Sequence, residues 1–174
     1  VGKPGCDGCP RGFHAVGTTN TECTACDTGK TTGIENSMAQ CITCSLGMFA
    51  SSATAECAKC EAGTFFGSSQ MSAGATACGT CPAGYSQPLA GSASCNPCMP
   101  GKYQNLMGQA NCKNCAVGSF SNESALESCF DCTIGTRAQN EGSTMCQPCQ
   151  AGEYGEFCDK CPVGWYRGGD DDDV

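Results

Sequence analysis

Cysteine is the residue type with the most chemistry available to it in this chain, and its placement is regular. The 174 residues include 20 cysteines, and every one belongs to a C-x-x-C pair. Thiols at this spacing serve as tetrahedral zinc ligands, as redox-active dithiols or as parts of structural disulfides. The ten pairs, most of them 17 residues apart, are Cys6/Cys9, Cys23/Cys26, Cys41/Cys44, Cys57/Cys60, Cys78/Cys81, Cys95/Cys98, Cys112/Cys115, Cys129/Cys132, Cys146/Cys149 and Cys158/Cys161.

The three chemistries place different demands on the rest of the sequence. Ten pairs would supply five four-thiolate zinc sites, but the chain has one histidine and lacks the basic face that zinc ribbons present to nucleic acid. A redox pair needs a βαβ scaffold and a helix N-terminus to lower one thiol pKa, and the sequence predicts neither. Disulfides are therefore favoured over zinc. They indicate an oxidising compartment, outside the cell or on its surface.

Loop lengths favour one disulfide connectivity. From each pair to the next, the intervening residues number 13, 14, 12, 17, 13, 13, 13, 13 and 8. Interleaved two-disulfide modules would alternate two lengths, and no alternation is present. We therefore expect sequential bonds: Cys9–Cys23, Cys26–Cys41, Cys44–Cys57, Cys60–Cys78, Cys81–Cys95, Cys98–Cys112, Cys115–Cys129, Cys132–Cys146 and Cys149–Cys158.

This scheme leaves Cys6 and Cys161 unpaired. Two interpretations stay open at this point. Either the chain is a segment cut from a longer array, which we favour, or the two thiols join one copy of the chain to the next. A non-reducing gel that showed only monomer with two free thiols would exclude the second interpretation.

The elements that must position these cysteines are turns and short strands. Leu, Ile, Val and Phe supply only 19 of the 174 residues, about 11 % and well below the ~20 % that an apolar core needs. A glycine stands three residues after the second cysteine of all ten pairs, and an aromatic residue follows one or two positions later in eight. We expect turns at the glycines, short β ladders, almost no helix and no shared core. Each unit should contact only its neighbours, giving an elongated tandem array.

The runs Cys81-Pro82-Ala83-Gly84-Tyr85 and Gly91-Ser92-Ala93-Ser94-Cys95-Asn96-Pro97-Cys98 carry a resemblance to a known family. They resemble the ephrin-receptor-like cysteine-rich repeat and are similar to the first half-module of tumour-necrosis-factor receptor domains. The resemblance implies small, tandem, disulfide-rich extracellular units. The repeat spacing gives a domain plan of a lead-in (1–5), tandem repeats (6–149), a shortened last unit (150–166), and an acidic linker or truncated end (167–174). The shortened unit departs from the repeat pattern and is similar to the tail of an EGF-type domain.

Other candidate sites are sparse. His14 is interpreted as an exposed turn residue, Asp170–Asp173 as a solvated acidic linker and not a calcium site, and the Asn122-Glu123-Ser124 sequon as a glycosylation site at Asn122. A net charge of −8 argues against partners that are nucleic acids or anionic lipids, and no apolar run is long enough to insert into a membrane. We expect no catalytic residue, metal or cofactor.

These observations predict a structural protein and not an enzyme. The first interpretation is an extracellular rod, a segment of a longer surface or filament-forming glycoprotein, which assembles head to tail or laterally with copies of itself. The alternative is a ligand-binding receptor or adhesin ectodomain. Of the aromatic residues, only Phe66, Phe130 and Phe157 lie outside the repeat positions, so a contiguous binding hot spot is hard to build. This favours the structural interpretation.

Overall fold

The computed structural model describes residues 8–16, 22–32, 40–72, 74–155 and 158–165. Cys6, Phe157, Asp170–Asp173 and the expected terminal segments 1–5 and 167–174 lie outside these ranges. Contacts divide the chain into two compact units. Unit 1 is Val1–Cys81 with Gln87–Cys95, and unit 2 is Pro82–Ser86 with Asn96–Val174.

The described residues form nine two-stranded antiparallel sheets. The first sheet pairs four residues with four and sets His14 opposite Thr24, and each of the others pairs two residues with two. One short helix, α1, occupies Ser68–Ser72. The strands are β1 Phe13–Val16, β2 Glu22–Ala25, β3 Lys30–Thr31, β4 Ile42–Thr43, β5 Met48–Phe49, β6 Ala58–Lys59, β7 Thr64–Phe65, β8 Gly79–Thr80, β9 Tyr85–Ser86, β10 Asn96–Pro97, β11 Lys102–Tyr103, β12 Lys113–Asn114, β13 Ser119–Phe120, β14 Phe130–Asp131, β15 Thr136–Arg137, β16 Gln147–Pro148, β17 Glu153–Tyr154 and β18 Asp159–Lys160.

Nine disulfides close nine loops, which we number 1 to 9 in chain order, counting positions from the cysteine that opens each loop. In loop 5 the chain leaves Cys81 and reverses at a turn in which the Tyr85 N–H donates to the Pro82 carbonyl at 3.1 Å. It enters β9 and pairs with β10, the two residues between Cys95 and Cys98. The C-x-x-C spacing therefore supplies the second strand of each ladder. The two residues between a closing and an opening cysteine are enough to form a two-residue strand.

Position 3 of every loop, and of the segment after Cys161, is a glycine in the left-handed region, with φ between 77° and 90°. This confirms that the glycines serve as turn residues at positive φ. Four residues before the closing cysteine a second residue has positive φ in loops 4 to 8, and we call it the loop corner. The corners are Gly74, Gly91, Gly108, Ala125 and Gly142.

Successive loops are joined by backbone hydrogen bonds within each unit. In unit 2, the Gly84 N–H donates to the Gln104 carbonyl at 2.7 Å and the Gly101 N–H donates to the Ser121 carbonyl at 2.8 Å. In unit 1, the Gly63 N–H donates to the Gln87 carbonyl at 2.7 Å. Loop corners add a second bond: the Ala125 N–H donates to the Cys98 carbonyl at 2.8 Å.

Contacts also reach the loop after next, so the expectation that each unit contacts only its neighbours was wrong. A Cβ at Gly84 of loop 5 would overlap the Ala125 carbonyl of loop 7, and one at Gly101 of loop 6 would overlap the Gly142 carbonyl of loop 8. In unit 1, a Cβ at Gly29 would lie 2.8 Å from the Gly74 carbonyl carbon. The missing side chain lets the loop corner sit directly on the glycine, which the one-dimensional repeat pattern did not reveal.

The fold is a small disulfide-rich β/turn architecture with almost no helix, as the sequence predicted. Its buried residues include the loop-opening cysteines from Cys9 to Cys115, among them Cys60, Cys81, Cys98 and Cys115 at 0–1 % exposure. Among the described residues, no helix combines the length and apolar character needed to cross a lipid bilayer.

Candidate functional site

The disulfides are the residues most able to react, and the structure places each loop-opening cysteine against the next closing one. Their Cα–Cα distances lie between 5.2 and 5.8 Å, within the range that unstrained disulfides occupy. The bonded pairs are Cys9–Cys23, Cys26–Cys41, Cys44–Cys57, Cys60–Cys78, Cys81–Cys95, Cys98–Cys112, Cys115–Cys129, Cys132–Cys146 and Cys149–Cys158.

Cys161 forms no disulfide with any described residue and is half-buried. Its N–H donates to the Gly152 carbonyl at 2.8 Å. Each loop-opening cysteine from Cys60 to Cys149 makes the same bond to the preceding position-3 glycine. Cys161 therefore stands where a loop-opening cysteine stands. Cys6 lies outside the described residues.

Position 6 is a second buried position of the repeat, besides the loop-opening cysteine, and the sequence did not predict it. Its residues from loop 2 to loop 8 are 0–5 % exposed, and they are Thr32, Ala50, Phe66, Gln87, Gln104, Ser121 and Ala138. No shared residue type marks this position, so a search for apolar periodicity does not find it. Its one aromatic residue, Phe66, is 2 % exposed and contributes nothing to a surface hot spot.

Buried polar residues at position 6 hold their own loops in shape. The Gln104 side-chain amide donates to the Asn111 carbonyl at 2.7 Å, and its oxygen accepts from the Leu106 N–H at 3.1 Å. Gln87 makes the equivalent two bonds to Ser94 and Leu89. Both ends of the amide are satisfied, as a buried polar group requires.

In loops 1, 5 and 8 the side chain at position 5 contacts the cysteine that closes the following loop. In unit 2, Ser86 Oγ lies 3.2 Å from Cys112 Sγ. Arg137 Nη1 donates to the Cys158 carbonyl at 3.4 Å, and Arg137 also forms an ion pair with Glu153 at 3.1 Å. Both cysteines close the next loop along the chain. Ser86 therefore contacts the sulfur of a neighbouring disulfide, whereas Arg137 contacts the backbone of one.

His14 occupies position 5 of loop 1, and its interpretation as an exposed turn residue was wrong. The ladder between β1 and β2 holds it in a strand, half-buried, with Nδ1 3.1 Å from Cys41 Sγ. The His14 ring nitrogen and the sulfurs of Cys26 and Cys41 all lie within 4.8 Å of one another. The two sulfurs are bonded to each other, so neither is a thiolate ligand for a metal. The arrangement is an imidazole in contact with a disulfide.

Asn122 is exposed in loop 7, and Ser124 of the same sequon is also exposed. Ser121, immediately before the sequon, is fully buried, and its hydroxyl donates to the Glu123 carbonyl at 3.1 Å. This bond fixes the direction in which the sequon leaves the loop. The geometry is compatible with a glycan that projects into solvent.

The exposed large apolar residues belong mostly to turns. Val163 and Trp165, which follow Cys161, are 104 % and 77 % exposed. Phe130 is 50 % exposed and packs against the Phe120 ring with centroids 5.8 Å apart. A surface hollow of about 300 Å³ is lined by Asn140–Met145 of loop 8 and by Gln147 of β16.

Comparison with known proteins bears on part of this architecture. Residues 84–121 match the family model described as "Tyrosine-protein kinase ephrin type A/B receptor-like". The match runs from the position-3 glycine of loop 5 to the buried Ser121 of loop 7, so it covers two full repeats. No curated protein matches the chain. The disulfide array together with this match indicates an extracellular domain, and the matched residues 84–121 resemble a kind of repeat that is typically non-enzymatic.

Proposed function

We propose that this chain is an extracellular structural rod, a segment of a longer surface or filament-forming glycoprotein. The observation that carries the proposal is the recurrence of the same backbone bonds from loop to loop in each unit. Glycine N–H groups donate to position-6 carbonyls, and loop corners sit on the glycine of a loop two steps earlier. Apart from the requirement for glycine at position 3, these contacts use the backbone and not side-chain identity. They therefore suit a spacer whose residues vary while its form is repeated.

Small-angle X-ray scattering tests the proposed rod. A compact chain of 174 residues has a radius of gyration of about 16 Å. A stack of loops has a larger radius and a cross-section that stays constant along its length. A measured radius of gyration of about 16 Å, as expected for a compact chain, would overturn the proposal. The reduced, alkylated chain serves as the expanded control.

Excision of one repeat separates a spacer from a receptor. Deletion of residues 98–114 removes 17 residues and joins Pro97 to Cys115, which restores the C-x-x-C pair. A spacer keeps eight disulfides, folds and shortens by one repeat. Copies of the chain that assemble head to tail or laterally would keep that assembly with a shorter axial repeat, which electron microscopy of negatively stained particles measures.

The second candidate is a receptor or adhesin ectodomain, favoured by the exposed Trp165 beside the exposed Val163. Tryptophan is among the residues that most often anchor protein interfaces. A Trp165→Ala variant that loses binding to cells, while its disulfides remain intact, would support this candidate over the rod. A matched Met99→Ala variant removes another exposed apolar side chain, 64 % exposed in loop 6, and controls for general loss of apolar surface.

A further inference from the structure

We propose that the Cys26–Cys41 disulfide is a site of thiol–disulfide exchange at which His14 acts as the general base toward an incoming low-molecular-weight or protein thiol. Of the nine disulfides, this one has an imidazole beside it, since His14 is the only histidine in the sequence. The inference is independent of the rod and of the receptor.

Geometry brings the three reacting groups together. The β1–β2 ladder fixes His14 opposite Thr24, two residues before Cys26, and the Cys26 N–H donates to the Gly12 carbonyl at 2.8 Å. Nδ1 lies 3.1 Å from Cys41 Sγ. In the tautomer that carries its proton on Nε2, Nδ1 offers a lone pair at the sulfur where a thiol would arrive.

Accessibility decides which sulfur is attacked. Cys26 is buried at 9 % exposure, whereas Cys41 is half-buried. The incoming thiol therefore meets Cys41. Its proton passes to Nδ1, and its sulfur forms a bond to Cys41 Sγ while the Cys26–Cys41 bond breaks. The Cys26 sulfur leaves with the electron pair as a thiolate, within 4.8 Å of the protonated imidazole. The imidazole then returns its proton through a water molecule, which makes Cys26 a thiol. The balance is one thiol and one disulfide giving one mixed disulfide and one thiol.

The repeat supplies a matched comparison site. Ser86 holds the same loop position as His14 and lies 3.2 Å from Cys112 Sγ of the Cys98–Cys112 disulfide. Cys112 is half-buried like Cys41, and Cys98 is buried like Cys26. The two sites share fold, exposure and a polar neighbour. They differ in basicity, because a serine hydroxyl does not accept a proton at neutral pH whereas an imidazole does. Any difference in exchange rate between them therefore reports on the imidazole.

The test measures exchange at each disulfide of the native full chain. Free thiols are first blocked with N-ethylmaleimide, glutathione is added without denaturant, and the reaction is quenched with acid at increasing times. New thiols are labelled with a heavier maleimide, and peptides are read by mass spectrometry. We expect glutathione on Cys41 and label on Cys26 to accumulate about a hundred times faster than the same products at Cys98–Cys112, the low end of general-base effects.

Two variants separate base catalysis from loop accessibility. His14→Ser reproduces the Ser86 arrangement, and His14→Phe keeps an aromatic ring of a type already found at position 5 as Phe49, Phe65 and Phe120. Both should bring Cys26–Cys41 to within about twofold of Cys98–Cys112, with the other disulfides unchanged. Equal rates in the unaltered chain, no reaction at Cys41, or a preference that survives in both variants would overturn the proposal.

Discussion

At the scale of single residues, Ala125 is where this chain departs from its own pattern. It holds the corner of loop 7 at φ 63°, in the position occupied by Gly74, Gly91, Gly108 and Gly142 in other loops. An L-residue in the left-handed region costs about 1–2 kcal/mol. The structure keeps it there because the Ala125 N–H donates to the Cys98 carbonyl and its carbonyl sits on Gly84.

Ala125→Gly should therefore stabilise loop 7. Removing the strain outweighs the added freedom of the unfolded chain, and we expect a gain of up to about 1 kcal/mol in the free energy that protects the residue-125 amide from hydrogen exchange. Ala90→Gly is the control, since Ala90 is exposed and is not at positive φ. That change should destabilise its loop by about 0.4–1 kcal/mol. The same sign in both variants would contradict this explanation.

Asn122 gives a prediction about modification. The exposed sequon of loop 7 should carry an N-linked glycan when the chain passes through a eukaryotic secretory pathway. Digestion with a glycosidase specific for N-glycans should lower the mass of the secreted protein. Asn122→Gln should abolish that shift, and Asn140→Gln, an exposed asparagine without a sequon, should leave it unchanged.

At the scale of elements, the contact between a glycine and a loop corner two loops later can be tested directly. Gly84→Ala places a Cβ against the Ala125 carbonyl at a position with φ 82°. We expect a loss of at least about 2 kcal/mol of stability, because backbone strain and steric overlap add. Gly118→Ala has the same strain at φ 85°, but no described atom lies within 4 Å of its added Cβ.

The difference between Gly84→Ala and Gly118→Ala isolates the packing of loop on loop. We expect Gly118→Ala to cost only the backbone strain of about 1 kcal/mol. Thermal unfolding and hydrogen exchange at the residue-125 amide measure both variants. If the two cost the same, the corner does not rest on the glycine as the structure shows.

Much of this element-scale architecture could be predicted from the sequence, and its limits have physical causes. The turn at position 3 could be predicted because its positive φ favours a single residue type, glycine. Position 6 could not be predicted, since Phe66, Gln104 and Ser121 satisfy burial by different means. The contact of His14 with Cys41 depends on how loop 1 meets a cysteine 27 residues away. The spacing of cysteines along the chain does not determine how loop 1 packs against loop 2.

At the scale of the whole molecule, the disulfides limit how far the chain can be stretched. Along the covalent path, each repeat contributes a C-x-x-C pair, about 10 Å when extended, and one disulfide with Cα–Cα 5.7 Å. The sum is about 16 Å per repeat, whereas 17 released residues span about 60 Å. The loop residues therefore add to the length of the stretched chain only after the disulfides are reduced.

Single-molecule pulling should show this limit. With disulfides intact, the fully stretched oxidised chain should reach an end-to-end length of no more than about 16 Å per repeat. A reductant should then release steps of about 40 Å, one for each opened 13-residue loop. Long steps in the absence of reductant would contradict sequential closure. Pulling the fully reduced chain gives the reference contour length.

The sequential closure of loops also decides what a protease can do to this chain. The loops are the exposed segments, yet a cut within one leaves its two ends joined through the disulfide. Severing the molecule requires a cut inside a C-x-x-C pair, where the two central residues are paired in a β ladder. A chain nicked in several loops would run as one piece on a non-reducing gel and as fragments on a reducing one. Cleavage in several loops therefore leaves the two ends of the chain covalently connected.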